Sequence, residues 1–431
     1  MTALLTDLYQ LTMAAGYFAS GKTGERAVFE LFVRRLPKGR EYLIAAGLQQ
    51  AVEYLTEVRF RPDEITYLCG LPQFSNVQQD FWDFLLEFRF TGDLFAMPEG
   101  TPFLAGEPIA TVHAPIVEGQ IVETYLLSTL AFQSMIAAKA SHVVTAARGR
   151  AVVEFGSRRA HGPEAGLLGA RAAFIGGCAG TSNVAAGQRF AIPVFGTSAH
   201  SWVLAFNDET EAFAALQRLL GTGTVYLIDS FDTVAGARRA AALGPPMWGV
   251  RLDSGDLNVL AHEVRRVLDD TGFPDARIMA TSDLNEQRIT ALLDAGAPID
   301  VFGVGTELAT SYDAPALGAV YKLVELESRG VKRLVAKYSP DKQTLPGAKQ
   351  VFRYADRDVV GSAGECPPGG PEALLRPVIL AGKLAEPLPS AGAAREHCKH
   401  ALQRLPSPRA VEYSSELLGI AAEHNRRFET H

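Results

Sequence analysis

The sequence predicts an α/β protein whose central domain is a (β/α) barrel. From residue 151 to about residue 325, short apolar runs alternate with amphipathic stretches. Apolar runs that lack a two-residue period indicate strands buried on both faces, and their alternation with helices indicates right-handed βαβ units. About eight such strands favour a closed barrel. An open doubly wound sheet is the alternative, although no Gly-x-Gly-x-x-Gly motif opens a helix after the first strand.

The residues before this region predict a mixture of helices and strands. Apolar residues at helical spacing predict helices at about 7–18, with Thr6 or Asp7 as N-cap, and at 41–57, 75–88 and 118–140. A strand is predicted at 27–33. Residues 93–117 contain the turn signals Pro98-Glu99-Gly100 and Gly106-Glu107-Pro108, which indicate a small β-rich unit.

The repeating region supplies the remaining predicted elements. Its strands are predicted at 151–155, 172–176, 191–195, 224–228, 247–252, 277–281, 300–304 and 319–324. Its clearest helices are predicted at 208–220, 233–243, 256–271 and 285–295. We therefore predict an N-terminal α/β domain over 1–120, the barrel over 121–335, and a small C-terminal appendage over 336–431 that packs back on the N-terminal part.

Composition excludes several classes of protein. The chain has 431 residues, 47% of them hydrophobic, and a formal net charge of -7, which argues against nucleic acid or an anionic membrane as a partner. The 4 cysteines form no CxxC motif, so a metal knuckle or a disulfide framework is not expected. No signal peptide and no apolar stretch of membrane-spanning length is found, and we expect a cytoplasmic protein.

Six predicted strands end in polar or glycine-rich clusters. They are Phe155–Arg159, Phe195–Ser201, Ile228–Asp232, Val250–Asp256, Ala280–Asp283 and Phe302–Thr306. Since the carboxyl ends of parallel strands meet at one edge, these clusters predict a single site there.

Two of the clusters are suited to phosphate. The turn with Gly303, Gly305 and Thr306 offers backbone N–H groups that no side chain shields, at a strand where barrels often hold phosphate. A tight turn that merely requires glycine is the alternative. Arg158 and Arg159 carry guanidinium groups that suit phosphate or carboxylate, and we expect one of the two to enter the site.

Acidic residues predict a cation or ribose site. Asp229 and Asp253 follow buried strands, where carboxylates bind magnesium or ribose hydroxyls. Asp232 and Asp256 are better placed as helix N-caps. Arg251 precedes Asp253 by two residues, so both can face the site, or they form a structural pair.

His200 lies just past a predicted strand end among small residues, where an imidazole is accessible enough to accept a group. A purely structural histidine is the alternative. The other histidines show no metal-ligand spacing, and a zinc site is not expected.

Segments in the same order resemble nicotinate phosphoribosyltransferases. They are Leu5–Met13, 155–159, 196–201, 228–233, 250–257 and 302–306, together with the turns at 98–108 and the helix from Glu123 onward. The resemblance runs from about residue 4 to about residue 330 and is weak beyond 340.

The resemblance implies an enzyme of NAD salvage. Such an enzyme makes nicotinate mononucleotide and pyrophosphate from nicotinate and phosphoribosyl pyrophosphate (PRPP), with ATP as co-substrate and magnesium as cofactor. It implies an incomplete (β/α) barrel and a homodimer. His200 would then be the residue phosphorylated by ATP, and Thr306 would belong to the phosphoribosyl site. The nicotinate pocket would contain Tyr9, Thr197 and Arg251.

Three other functions remain open. Quinolinate phosphoribosyltransferases share the barrel but are shorter and lack the motif around His200. Nicotinamide phosphoribosyltransferases act on an uncharged substrate, so they would not need Arg251 to pair with a carboxylate. An inactive barrel used for binding is the alternative from a different class, although no matching site position holds an incompatible residue.

Overall fold

The computed structural model describes residues 1–339, 342–406 and 408–429. The elements up to residue 150 are α1 Leu8–Ala19, β1 Arg26–Val33, β2 Leu43–Ile44, α2 Leu48–Glu57, α3 Pro62–Cys69, α4 Gln79–Leu86, β3 Asp93–Ala96, β4 Pro102–Phe103, β5 Pro108–Pro115, α5 Ile116–Ile121 and α6 Glu123–Ala146. Those up to residue 315 are β6 Ala151–Glu154, α7 Pro163–Ile175, β7 Gly180–Thr181, α8 Val184–Phe190, α9 His200–Leu204, α10 Glu209–Leu220, β8 Val225–Leu227, α11 Thr233–Ala242, β9 Gly249–Leu252, α12 Leu257–Asp270, β10 Arg277–Ala280, α13 Glu286–Asp294, β11 Val301–Val304 and α14 Thr306–Ala309. The rest are β12 Ala319–Ser328, β13 Val331–Leu334, β14 Lys349–Arg353, β15 Arg357–Ser362, β16 Glu372–Ala373, β17 Arg376–Leu380, β18 Lys383–Leu384, α15 Ala391–Gln403, β19 Ala410–Tyr413 and α16 Ser415–Glu429.

The chain forms two compact units. Unit 1 contains Met1–Met135, Ala316–Pro389 and the described residues from His397 onward. Unit 2 contains Ile136–Pro315 and Ser390–Glu396. The predicted appendage over 336–431 includes residues 340, 341, 407, 430 and 431, which lie outside the described part.

Unit 2 is built on a six-stranded parallel sheet in the order β7-β6-β11-β10-β9-β8. The predicted strands at 151–155, 224–228, 247–252, 277–281 and 300–304 are confirmed as five of its members. Residues such as Val250, Ile278 and Phe302 are fully buried on these strands. Burying each such side chain stabilises the fold by about 1.5–3 kcal/mol, which is why the strands are apolar without alternation.

Helices α11 and α12 begin where the sequence predicts them. The carboxylate of Asp232 accepts a hydrogen bond from the Ala235 N–H, and that of Asp256 accepts from the N–H groups of Asn258 and Val259. An N-cap of this kind satisfies donors that the helix itself leaves unpaired. The capping role predicted for both aspartates is therefore confirmed.

The prediction of a closed barrel of eight strands is wrong. Within the described residues no strand pairing joins β7 to β8, and the sheet remains open. The run 172–176 lies in and just after helix α7, which starts at Pro163. Residues 191–195 contribute only a bridge between Thr181 and Val194. Residues 319–324 do form a strand, but β12 pairs antiparallel with β1 in unit 1.

Unit 1 contains a seven-stranded antiparallel sheet in the order β13-β12-β1-β5-β3-β17-β18. The predicted strand at 27–33 is confirmed as β1, and Phe29 on it stacks on Tyr321 of β12 with ring centroids 4.8 Å apart. The β-rich unit predicted over 93–117 is confirmed as β3, β4 and β5. Within unit 1, β17 pairs with β3, so a late segment of the chain joins the N-terminal sheet.

The predicted helices of unit 1 need local corrections. The helix predicted at 41–57 begins only at Leu48, because Leu43 and Ile44 pair with β4 as a strand. Asp7 precedes α1 but does not cap it, since its carboxylate accepts a hydrogen bond from the Thr124 hydroxyl at 2.9 Å. None of the described helices is long and apolar enough to cross a membrane.

Candidate active site

The register of the parallel sheet of unit 2 aligns three neighbouring strands near their carboxyl ends. Leu252 on β9 pairs with Ala280 on β10, and Ala280 pairs with Phe302 on β11. Asp253 and Thr281, which directly follow β9 and β10, therefore lie level with Gly303, which is the third residue of β11. This edge is where a site in a parallel α/β sheet is expected.

A cavity of about 470 Å³ opens at this edge of unit 2. The predicted site residues that line it are Arg158, Thr197, His200, Arg251, Asp253, Gly303, Gly305 and Thr306. Arg159 lines it as well, so both members of the arginine pair reach the cavity, where the sequence led us to expect one.

Arg251 donates hydrogen bonds from all three of its guanidinium nitrogens. Its Nε donates to the Thr281 hydroxyl at 3.0 Å, and Nη1 donates to the Thr197 hydroxyl at 2.9 Å and to the Ser198 carbonyl at 3.3 Å. Nη2 donates to Asp253 Oδ1 at 2.8 Å. A guanidinium has five N–H donors, and these bonds occupy four of them. One donor on Nη2 is left for a ligand.

Asp253 remains ionised beside this guanidinium. Burial would raise the pKa of Asp253, but the hydrogen bond from Thr281 and the positive charge of Arg251 outweigh burial, so the pKa is lowered from its ordinary value. Its backbone N–H donates to Asp229 Oδ2 at 2.9 Å. The backbone of Asp253 thereby holds the Asp229 carboxylate in place.

The two carboxylate oxygens of Asp229 differ in their hydrogen bonding. Oδ2 accepts from the Asp253 N–H and, at 2.6 Å, from the Ser254 hydroxyl. Oδ1 is buried, and no described residue donates a hydrogen bond to it. A buried carboxylate oxygen without a donor is costly unless a cation or a ligand satisfies it. The donor set therefore fits magnesium, which prefers carboxylate oxygens.

His200 is the first residue of α9 and faces both carboxylates. Its Nε2 lies 3.6 Å from Asp253 Oδ2 and 3.9 Å from Asp229 Oδ1, while Nδ1 lies 3.2 Å from the Ser230 hydroxyl. The side chain is 41% exposed. An imidazole that is held by its neighbours and still accessible can accept a phosphoryl group.

Gly303 lies within β11 and packs closely against neighbouring side chains. A side chain on Gly303 would place its Cβ 2.6 Å from Thr281 Cγ2 and 2.7 Å from the Phe155 ring. Only glycine fits there. Gly305 and Thr306 line the same cavity as Arg158 and Arg159.

Tyr9 lies in unit 1, on α1. Its hydroxyl donates to Glu123 Oε1 at 3.4 Å, and partial burial, together with Glu123 and Asp7, raises the pKa of Tyr9 to about 12. The phenol therefore stays protonated at neutral pH. Its role at a nicotinate ring stays a prediction.

Sequence reasoning missed three hydroxyl residues that hold the site together. Thr281 donates to Asp253 and accepts from Arg251, Ser254 donates to Asp229, and Ser230 contacts His200. All three belong to polar clusters that the sequence marks at strand ends. Only their position at strand ends could have predicted a role for them, because a hydroxyl group by itself says little about function.

Comparisons with known proteins identify the family of this chain. The model of the nicotinate phosphoribosyltransferase (NAPRTase) N-terminal domain matches residues 4–131, and that of the nicotinate phosphoribosyltransferase (NAPRTase) family matches residues 151–342. The chain belongs to the nicotinate phosphoribosyltransferase family.

Relatives within the nicotinate phosphoribosyltransferase family match most of the chain. One from Mycobacterium tuberculosis is 45% identical over 416 residues, which cover 94% of this chain and 88% of the relative. One from Bacillus subtilis is 44% identical and covers 84% of this chain and 75% of its own length. The human one is 31% identical, with coverage of 93% and 91%. The resemblance seen in the sequence is thus confirmed.

Solved structures with related functions have a fold similar to that of this chain. The crystal structure of human nicotinic acid phosphoribosyltransferase superposes with a TM-score of 0.83 at 28% identity and covers 97% of this chain and 99% of its own. That of nicotinate-nucleotide pyrophosphorylase from Pyrococcus furiosus gives 0.76 at 26% identity, with coverage of 93% and 95%. The prediction of an α/β fold with a parallel sheet is confirmed.

Proposed function

We propose that this enzyme makes nicotinate mononucleotide and pyrophosphate from nicotinate and PRPP in NAD salvage, with coupled hydrolysis of ATP. One observation carries the proposal beyond family membership. Arg251 and Asp253 place a guanidinium and a carboxylate, 2.8 Å apart, in the same cavity as the turn at Gly303–Thr306 and the arginines Arg158 and Arg159. The cavity thus combines one group for a substrate carboxylate with several for phosphate.

Nicotinate is a planar ring with one carboxylate. The remaining N–H of Arg251 Nη2 would donate to that carboxylate, with the Thr197 hydroxyl beside it. Tyr9 would stack on the ring. The ring nitrogen would then attack the anomeric carbon of PRPP as pyrophosphate departs, so no side-chain nucleophile is needed.

The phosphate groups of PRPP would contact the turn after β11 and the two arginines. Backbone N–H groups near Gly303 and Gly305 and the Thr306 hydroxyl suit a 5′-phosphate. Arg158 and Arg159 would stabilise the charge that develops on the departing pyrophosphate. Holding donors in fixed positions before reaction lowers the barrier because they need no reorganisation.

Magnesium would be held by Asp229 and Asp253. The described residues contain no group of three or more His, Cys, Asp or Glu side chains arranged to hold a metal ion. Magnesium usually binds through one or two carboxylates, water and substrate phosphates, so two aspartates suffice. When bound, it would neutralise negative charge on the pyrophosphate. The buried, donor-free Oδ1 of Asp229 supports this assignment.

His200 would couple ATP to synthesis. The γ-phosphoryl group would pass to an imidazole nitrogen with release of ADP, and the phosphohistidine would later be hydrolysed to phosphate. The position of His200 next to both carboxylates supports this role, since a phosphoryl group there adds negative charge at the cation site. Coupling would act on substrate and product binding, while the glycosidic step needs no group from His200.

The test of this coupling is labelling with γ-labelled ATP. The enzyme should acquire an acid-labile, base-stable label, and His200→Ala should remove it while some ATP-independent synthesis persists at high PRPP. His262→Ala is the matched control, because His262 is exposed on α12 and does not line the cavity. A label that persists in His200→Ala would refute the assignment.

Three further features complete the proposal. The open parallel sheet of unit 2 would form an incomplete (β/α) barrel in the sense of the family. The enzyme would work as a homodimer with sites made from both chains, which would allow Tyr9 of either protomer to reach the nicotinate ring. A cytoplasmic location is supported by the absence of any disulfide among the described cysteines.

A further inference from the structure

Unit 1 contains a second cavity, of about 440 Å³, whose residues take no part in the proposed reaction. It lies next to β14 and the C-terminal end of α15. The polar side chains among its lining residues are Thr101, Arg353, Tyr354, Glu372, His397, His400, Arg404 and Arg409. Small-molecule sites in proteins typically have volumes of about 300–1,000 Å³.

The floor of this cavity carries an uncompensated positive charge. Arg353 Nη2 lies 2.7 Å from Asp358 Oδ2, and Arg409 Nη2 lies 2.7 Å from Asp358 Oδ1. Asp358 is fully buried, so one carboxylate serves two guanidinium groups. Burial, and then the charge of Asp358, raise the pKa of the neighbouring Glu107 well above its ordinary value, which favours the neutral form of this carboxyl.

The rim adds a second positive charge. Arg404 is exposed, and no described residue forms an ion pair with it. The nearby carboxylate of Glu372 is engaged by Arg376 at 2.8 Å. His397 contributes no charge at neutral pH, since burial lowers its pKa, and its Nε2 lies 3.1 Å from the Thr101 hydroxyl.

Two guanidinium nitrogens in the cavity have no acceptor among the described residues. The Nε atom of Arg409 is buried and receives no acceptor from the described residues. Arg353 Nη1 takes no part in the bonds that tie this side chain to Asp358 and to the Pro102 carbonyl. A buried donor without an acceptor, such as Arg409 Nε, is costly, and an anionic ligand that accepts from it would recover that cost.

We propose that this cavity of unit 1 binds a phosphate monoester dianion. Two uncompensated positive charges match the two negative charges of the ligand, and guanidinium forks suit the tetrahedral oxygens of phosphate. The cavity is large enough for the phosphate together with a sugar. It is lined by residues different from those of the candidate active site, so the ligand would be an effector in addition to the substrates.

The test is isothermal titration calorimetry of the intact enzyme with ribose 5-phosphate. Ribose is the uncharged control ligand. We compare the wild type with Arg404→Glu and with Lys399→Glu. Lys399 is exposed on α15, which ends one residue before Arg404, and does not line the cavity, so its variant makes the same change of charge sign nearby. Arg158→Ala is added because ribose 5-phosphate can also enter the cavity of unit 2.

One binding event should disappear or weaken by roughly 10- to 100-fold in Arg404→Glu, as expected for loss of a charge-assisted hydrogen bond. The same event should persist in Lys399→Glu and Arg158→Ala, weaken at high salt, and be absent with ribose. Unchanged binding in Arg404→Glu, or an equal loss in Lys399→Glu, would overturn the proposal. Because only binding is measured, the result does not depend on which reaction unit 2 catalyses.

Discussion

The discrimination between nicotinate and nicotinamide should depend on Arg251. Its side chain is 13% exposed and four of its N–H donors are already engaged, which leaves one on Nη2 for a substrate carboxylate. One hydrogen bond to a charged group contributes about 1.5–3 kcal/mol, which corresponds to roughly 10- to 150-fold. The longest existing contact, at 3.3 Å to the Ser198 carbonyl, would have to break before a second bond could form.

We therefore expect Arg251→Ala to reduce kcat/KM for nicotinate by about 10- to 150-fold or more, and to affect the KM for PRPP much less. Arg251→Lys should recover only part of this loss, because an ammonium group cannot keep Thr197, Thr281 and Asp253 bonded at once. The measurement is steady-state kinetics with each substrate varied in turn.

The matched control is Arg277→Ala. Arg277 begins β10 and pairs with Gly249 at the opposite end of the same sheet, where it packs on Trp248. Its loss should leave the preference for the acid intact. Equal turnover of nicotinate and nicotinamide by the native enzyme, or an equal effect of Arg251→Ala on both, would refute the reasoning.

Three more predictions follow from the site and from unit 1. Asp229→Asn should keep the fold but raise the magnesium concentration for half-maximal activity about tenfold or more, and an unchanged magnesium dependence would contradict the metal assignment. Burial raises the pKa of Glu107, so the folded state binds its proton more tightly than the unfolded state does. The free energy of unfolding should then fall by up to about 1.4 kcal/mol per pH unit above the ordinary Glu range until the folded pKa is passed; Glu107→Gln should remove this contribution in urea denaturation at pH 5 and pH 7, and an unaltered pH dependence would count against it. Mixed Tyr9→Ala and Arg251→Ala chains should recover part of the activity after subunit exchange if each site uses both protomers, whereas a mixture no more active than its components would argue for sites within one chain.

The sequence predicted which residues lie together in the cavity of unit 2 better than it predicted the path of the chain. Arg251 and Asp253 were predictable because alternate residues at a strand end face the same side. Thr281 was not, because its role comes from bonds to residues about thirty positions away along the chain. The contact of His200 with Ser230 likewise depends on where α9 lies, which no local pattern gives.

The errors in the fold have a common cause. Short apolar runs do not distinguish a buried strand from a buried helix, and Ala172–Ile175 ends a helix that Pro163 starts. The run at 319–324 is a strand, but its partner is β1, about 290 residues earlier in the chain. Local sequence contains no record of such a pairing, which is why the predicted barrel had strands that unit 2 lacks.

The two Asp-x-x-Asp segments place one carboxylate at the site and the next one under a helix. Asp229 and Asp253 face His200, and three residues later Asp232 and Asp256 hold the first turns of α11 and α12. Helices α11 and α12 thus help to fix the positions of Asp229 and Asp253, which lie just before them in the chain. Substitutions on the outer faces of both helices should be tolerated, whereas the two caps should be kept. Losing a cap costs about 0.5–2 kcal/mol of local stability, and that loss would loosen the two carboxylates that we propose as magnesium ligands.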